Sequence, residues 1–141
     1  MILQELNTSK GIKLSTPGYD GYDETKGGVT TYPPGAKENG GIFNHTQGWG
    51  VMAECLLGHG DRAYEYYRAF MPAAYNERAE VRQIEPYVQG QCTYSPNSPR
   101  AGNARTSWLT GTAAWASGWD CRWDWRWPVL ACGGPCTPLG R

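Results

Sequence analysis

Residues 10 to 42 read KGIKLSTPGYDGYDETKGGVTTYPPGAKENGGI, and no long helix or regular strand can be built from them. Glycine leaves the backbone unrestrained and proline removes an amide donor, so each interrupts a repeating hydrogen-bond pattern. A connection this long in a compact domain is a functional loop, a structured surface excursion or a disordered segment. Tyr19, Tyr22 and Tyr32 argue against disorder, because disordered chains are poor in aromatics. Residues 29–32, VTTY, have the β-branched and aromatic character of a strand.

The scaffold for this excursion must come from the flanks. Trp49, Met52, Ala53 and Leu56 recur at helical spacing, which predicts a helix over 48–57 ended by Gly58 or Gly60. Asp61 stands where it would cap a second helix, 62–70. That helix carries Ala63, Tyr66, Tyr67 and Phe70 on or near one face and stops at Pro72. Two such helices make a helical hairpin. Ile2, Leu3 and Leu6 share a face, so residues 1–8 read as the last turns of a helix too short to stand alone. Residues 84–95 read as extended or irregular, and residues 95–103 as loop. A third helix is predicted from about 110 through 117. The expected fold class is mainly α with long loops.

Charge excludes some partners. Thirteen basic and 13 acidic residues cancel, which argues against nucleic acid or an anionic membrane surface as the partner. Residues 1–10 lack the pattern of a secretory signal, and no apolar run reaches transmembrane length. Five scattered cysteines do not form a disulfide framework, so a reducing cytoplasm is expected. Cys121, Cys132 and Cys136 lack the spacing and the fourth ligand of a zinc site, and no metal is expected.

Three places could carry chemistry. Thr110 and Gly111, in SWLTGTAAW, stand at a predicted helix start. A hydroxyl and unpaired N–H groups there either cap the helix or receive an anion such as phosphate. His45, in GIFNHTQGWG, is a packing or capping residue or a ligand. Gln91, in VQGQC, either satisfies loop backbone or donates to an anion or sugar.

The stretches TTYPPGAKENGGIFNHTQGW, AECLLGHGDRAYEYYRAFMPAA, IEPYVQGQ and SWLTGTAAW, in this order, resemble the disaccharide phosphorylases of glycoside hydrolase family 94. The resemblance, of the cellobiose and N,N'-diacetylchitobiose phosphorylase type, covers about residues 5–117. It implies a fragment of an (α/α)6 barrel, the C-terminal portion of a catalytic domain over 1–117. It implies inverting phosphorolysis of a β-linked disaccharide to an α-sugar 1-phosphate and a free sugar. No cofactor is implied, because inorganic phosphate is the co-substrate. The phosphate pocket carries over to His45, Gln91, Thr110 and Gly111, and a leaving-group sugar contact to Tyr32. The general-acid aspartate is expected upstream, since none of Asp20, Asp23 or Asp61 stands in its motif. The isolated chain is therefore expected to be inactive and to leave apolar helix faces uncovered. The full-length relatives often form homodimers.

From residue 118 the family pattern stops. GWDCRWDWRWPVLACGGPCTPLGR alternates Arg and Asp with Trp and has no amphipathic period, so 118–141 is expected to be an atypical tail, either frame-shifted or disordered. Two further readings stand beside the phosphorylase. One is a non-catalytic carbohydrate-binding module using the aromatics. The other is a related inverting hydrolase, which would need a second carboxylate such as Glu38 or Glu85 to activate water.

Overall fold

The computed structural model of the chain describes residues 2–85 and 88–104. The third predicted helix, the Thr110–Gly111 pair, the tail 118–141 and its three cysteines lie outside the described residues.

Regular structure is mainly helical, with two small antiparallel sheets. A π-helical turn, Ile2–Leu6, leads into β1 (Asn7–Thr8), which pairs with β2 (Gly11–Ile12) in the register Asn7 with Ile12 and Thr8 with Gly11. After the long excursion comes β3 (Ile42–Phe43), which runs directly into α1 (Asn44–Leu56). Leu57 then caps α1, Gly58 takes a left-handed φ of 78°, and α2 (Gly60–Phe70) returns against α1. A 3₁₀ segment, Pro72–Arg78, and a short α3 (Ala79–Arg82) follow. The last strand, β4 (Cys92–Thr93), pairs with β3.

The helical hairpin is present, with three differences from the sequence reading. First, α1 begins at Asn44, so His45 lies inside its first turn. Second, Asp61 is not a cap. The N-cap of α2 is His59, without a side-chain cap bond, and Asp61 sits in the first turn, where a carboxylate meets the positive helix end. The His59 ring instead contacts the Glu54 carboxylate of α1 at 2.7 Å, and Arg62 reaches the same oxygen at 3.5 Å. Third, residues 29–32 do not form a strand. They end a 3₁₀ turn, Gly27–Thr31, because both threonine hydroxyls bond locally, Thr30 to the Gly27 carbonyl and Thr31 to that of Gly28.

The apolar core is small. Ile42, Phe43 and Cys92 of the β3–β4 pair are buried with Ala63, Tyr66 and Phe70 of α2. Between them sit buried amides. Asn39, fully buried, accepts from the Tyr19 amide at 2.6 Å and donates to the carbonyls of Tyr19 at 2.9 Å and Tyr32 at 2.6 Å. One side chain thus pins both ends of a lobe formed by residues 20–31. Asn39→Ala removes all three bonds and strands buried polar groups. The expected loss is about 2–3 kcal/mol of stability. Amide exchange should quicken selectively over residues 19–32, and an unchanged exchange pattern there would show that the lobe is held by something else.

The face of α1 also differs from expectation. The helix buries Asn44, Gln47 and Gly48 against the sheets and α2, while Trp49, Met52 and Leu56 are 62%, 57% and 69% exposed. The helical spacing of the apolar residues is as read. Their face, however, is uncovered among the described residues.

Candidate functional site

The site begins with a strand too short to recognise in the sequence. β3 pairs antiparallel with β4, Ile42 opposite Thr93 and Phe43 opposite Cys92. The ladder continues one step further, because the Asn44 amide donates to the Gln91 carbonyl at 3.0 Å. The Asn44 side chain adds a 2.6 Å bond to the Gly90 carbonyl, and this side chain is buried. Residues 90 and 91 are thereby fastened to the first residue of α1. His45, the next residue, comes into the neighbourhood of Gln91 although the two are far apart in the chain.

The N-terminal end of α1 has no side-chain cap. Its N-cap, Phe43, has an extended backbone and provides no side-chain cap bond. Helix amides at this end carry partial positive charge and have no intrahelical partner, so they favour an anion. The half-buried His45 ring stands edge-on between two aromatic rings, Phe43 at 5.4 Å and Trp49 at 5.8 Å. Among the described residues neither ring nitrogen has a hydrogen-bond partner, so the rings fix the imidazole while its polar atoms stay available.

Gln91 is held from a third direction. Lys37 Nζ donates to Gln91 Oε1 at 2.6 Å, which leaves the Gln91 amide nitrogen as the free donor end. Lys37 itself has a left-handed φ of 49°, an uncommon conformation for a residue with a long side chain. A tight turn holds it there. The Gly41 amide donates to the Lys37 carbonyl at 3.0 Å, and the Asn39 amide to the Ala36 carbonyl at 2.9 Å. Lys37 was not singled out by the sequence reading. The only signal would have been a lysine between Gly35 and Gly40-Gly41, in a turn whose geometry the sequence does not display.

Other expected residues are placed as follows. Tyr32 is 40% exposed, and its carbonyl is bound by Asn39. Thr110 and Gly111 lie outside the described residues. Glu38 and Glu85 are both exposed. Among the described residues no cluster of three His, Cys, Asp or Glu side chains could hold a metal ion, and no helix is long and apolar enough to cross a membrane. Cys92 lies beside the Lys37 turn. Burial pushes its thiol up to about 11, against a smaller opposing effect of the Lys37 backbone, so it is not a thiolate nucleophile at neutral pH.

A helix end without a side-chain cap, an imidazole between two rings and an amide donor backed by a lysine suit a small anion. Known proteins are similar to this sequence. The profile of the glycosyl hydrolase 94 superfamily, catalytic domain, matches residues 1–119. The chain belongs to this superfamily. Among family 94 relatives, N,N'-diacetylchitobiose phosphorylase of Vibrio furnissii is 37% identical over 115 residues, which is 82% of this chain and 14% of the relative. The enzyme of the same name from Vibrio proteolyticus is 38% identical over 113 residues, 80% of this chain and 14% of that protein. Solabiose phosphorylase of Paenibacillus borealis is 31% identical over 111 residues, 79% of this chain and again 14% of the relative. The chain therefore aligns with about a seventh of the length of each of these three family 94 proteins.

Proposed function

We propose that this chain is the phosphate-binding part of an inverting disaccharide phosphorylase, a portion of an (α/α)6 catalytic barrel. The observation that carries the reading is the continuation of the β3–β4 ladder into α1, which puts Gln91 beside His45 at an uncapped helix end, with Lys37 behind the glutamine. The phosphorylases among the relatives support it.

In this reading His45 and Gln91 hold inorganic phosphate together with Thr110 and Gly111. Phosphate is already an anion, so no carboxylate base is required, unlike in an inverting hydrolase. Neutral donors and helix amides position the anion against the anomeric carbon without neutralising it. Attack opens the glycosidic bond from the opposite face, and the leaving oxygen takes a proton from an acid supplied by the rest of the protein. An α-sugar 1-phosphate and a free sugar result. In this reading Tyr32, carried over from the family resemblance, contacts the leaving-group sugar. The substrate is a β-linked disaccharide, with N,N'-diacetylchitobiose favoured by the two relatives of highest identity reported above. Without the general acid, the 141-residue chain alone turns nothing over.

The test is calorimetric titration of the chain with inorganic phosphate, alongside His45→Ala and Gln91→Ala. Each variant should bind about tenfold more weakly or worse, as expected for loss of one hydrogen bond to a charged ligand. Equal affinity in all three proteins would remove His45 and Gln91 from the pocket.

A further inference from the structure

We propose that Arg82 is a positioning residue for Gln91, holding residues 88–91 so that the Gln91 amide is presented beside His45. The phosphate reading enters only in what Gln91 then binds. Arg82 ends α3 and is 4% exposed. Among the described residues no carboxylate pairs with it. Its guanidinium carbon lies 5.3 Å from the centre of the Tyr75 ring, within cation–π range, and Nε has no hydrogen-bond partner among the described residues. Lys10 Nζ lies 5.6 Å from the centre of the same ring, so a second cation stands close by where a counter-charge would be expected. A buried ion without an opposite charge is costly to keep, and a well-packed apolar side chain of like volume is often as stable or more so. Packing alone does not account for Arg82.

The guanidinium instead bonds main chain. Nη2 donates to the Val88 carbonyl at 3.3 Å, closing a loop that opens at Gln83 with a left-handed φ of 57°. The Arg82 carbonyl accepts from the Ala104 amide at 2.9 Å. Ala104 in turn lies against Gly90, because a Cβ added at Gly90 would be 2.6 Å from the Ala104 carbonyl oxygen. Arg82 therefore grips the stretch before Gln91 twice, at Val88 by its side chain and at Gly90 through Ala104. Among the described residues three side chains tether 88–91. Arg82 takes the Val88 carbonyl, Asn44 the Gly90 carbonyl and Lys37 the Gln91 side chain. Gln89 is 5% exposed, and neither of its amide atoms has a hydrogen-bond partner among the described residues, so it does not anchor the segment. The Val88 amide bonds to the Glu85 carbonyl at 3.1 Å, inside the loop itself. Without the guanidinium, the Val88 end of the segment loses its outside tether, and Gln91 is only three residues further on.

The experiment compares the full 141-residue chain with Arg82→Met and Arg82→Lys. Methionine keeps an apolar stem against Tyr75 but loses donor and charge, whereas lysine keeps a cation and a donor. The readouts are the Gln91 side-chain amide resonance by NMR, amide exchange by residue, and phosphate affinity by calorimetry. In Arg82→Met the Gln91 resonance should move. Exchange should quicken about tenfold at the Val88 and Asn44 amides, which bond to the Glu85 and Gln91 carbonyls, and stay unchanged in α2. Phosphate should bind about tenfold more weakly. Arg82→Lys should recover most of each change. An arginine with a general structural role would instead speed exchange throughout, α2 included, and that result overturns the proposal. So does an Arg82→Met chain with native Gln91 resonance and native exchange at Val88 and Asn44, or an Arg82→Lys chain indistinguishable from Arg82→Met. If the native chain binds no phosphate, the phosphate reading fails by itself, and the Gln91 resonance with the two amides still decides the role of Arg82.

Discussion

Replacing Gly41 with alanine is expected to destabilise the chain by about 3 kcal/mol and to dismantle the Lys37–Gln91 pair. A Cβ on Gly41 would fall 2.4 Å from the Lys37 carbonyl oxygen, 2.7 Å from the Lys37 nitrogen and 2.9 Å from Cys92 Sγ. Two of these are backbone atoms, which cannot swing aside as a side chain would. Relief requires the turn to open. The Gly41 amide bonds to Lys37, and the Gly41 carbonyl accepts from Leu14, so both contacts are at risk together. Lys37 already holds a left-handed backbone, and the turn that keeps it there is the one the methyl group disrupts. Urea unfolding gives the stability change, and the phosphate titration reads the site. A Gly41→Ala chain within 1 kcal/mol of the native one, still binding phosphate, would show that the turn yields without cost.

Gln47→Leu should be nearly as damaging. The Gln47 side chain is 1% exposed and works as a substitute strand. Its oxygen accepts from the Ile12 amide at 2.7 Å, and its nitrogen donates to the carbonyls of Ile12 at 3.0 Å and Phe43 at 2.8 Å. Leucine fills the volume but leaves a donor and an acceptor of Ile12 unpaired, with a cost of about 2–4 kcal/mol. Gln47→Glu distinguishes packing from hydrogen bonding. A buried carboxylate would still accept from Ile12 but would face two carbonyl oxygens, so burial and repulsion raise its folded-state pKa above the free value of about 4.3. The folded state then binds the proton more tightly than the unfolded one. Stability of Gln47→Glu should be greatest below about pH 4.3 and fall as pH rises from there toward the folded pKa, relative to the native chain. A flat difference across that range would mean that Gln47 does not contact these carbonyls.

The hairpin was legible because a helix is a local object. Spacing of Trp49, Met52 and Leu56, glycines at its end and Pro72 after the second helix depend only on near neighbours. Which side of α1 is buried was not legible. That side is chosen by Asn44 and Gln47, polar residues that look like surface until Ile12 and Gly90 are seen to need partners. The strands were missed for another reason. Two residues are too few to show an alternation, and β3 meets β4 across a separation that no local pattern records. The VTTY stretch shows the opposite failure, a true propensity overridden by hydroxyls that bond to their own turn. In the candidate site, His45 and Gln91 were legible through resemblance to a family, one residue at a time. Their juxtaposition, and the lysine behind them, depend on pairing and on a left-handed turn.

The clamp made by Asn39 divides the excursion into a foundation and an appendix. Tyr19 and Tyr32 are tied to the same side chain, so whatever the chain does between them begins and ends at one fixed point. Gly21, Gly27 and Gly28 within that span face open space. Lengthening the span costs only closure entropy, about 0.6 kcal/mol for each doubling of its length, and transmits no displacement to Lys37 or His45. The lobe is thus a port. A fluorophore, an affinity tag or a foreign peptide could be spliced in near Gly27 and the proposed phosphate site would not register the change.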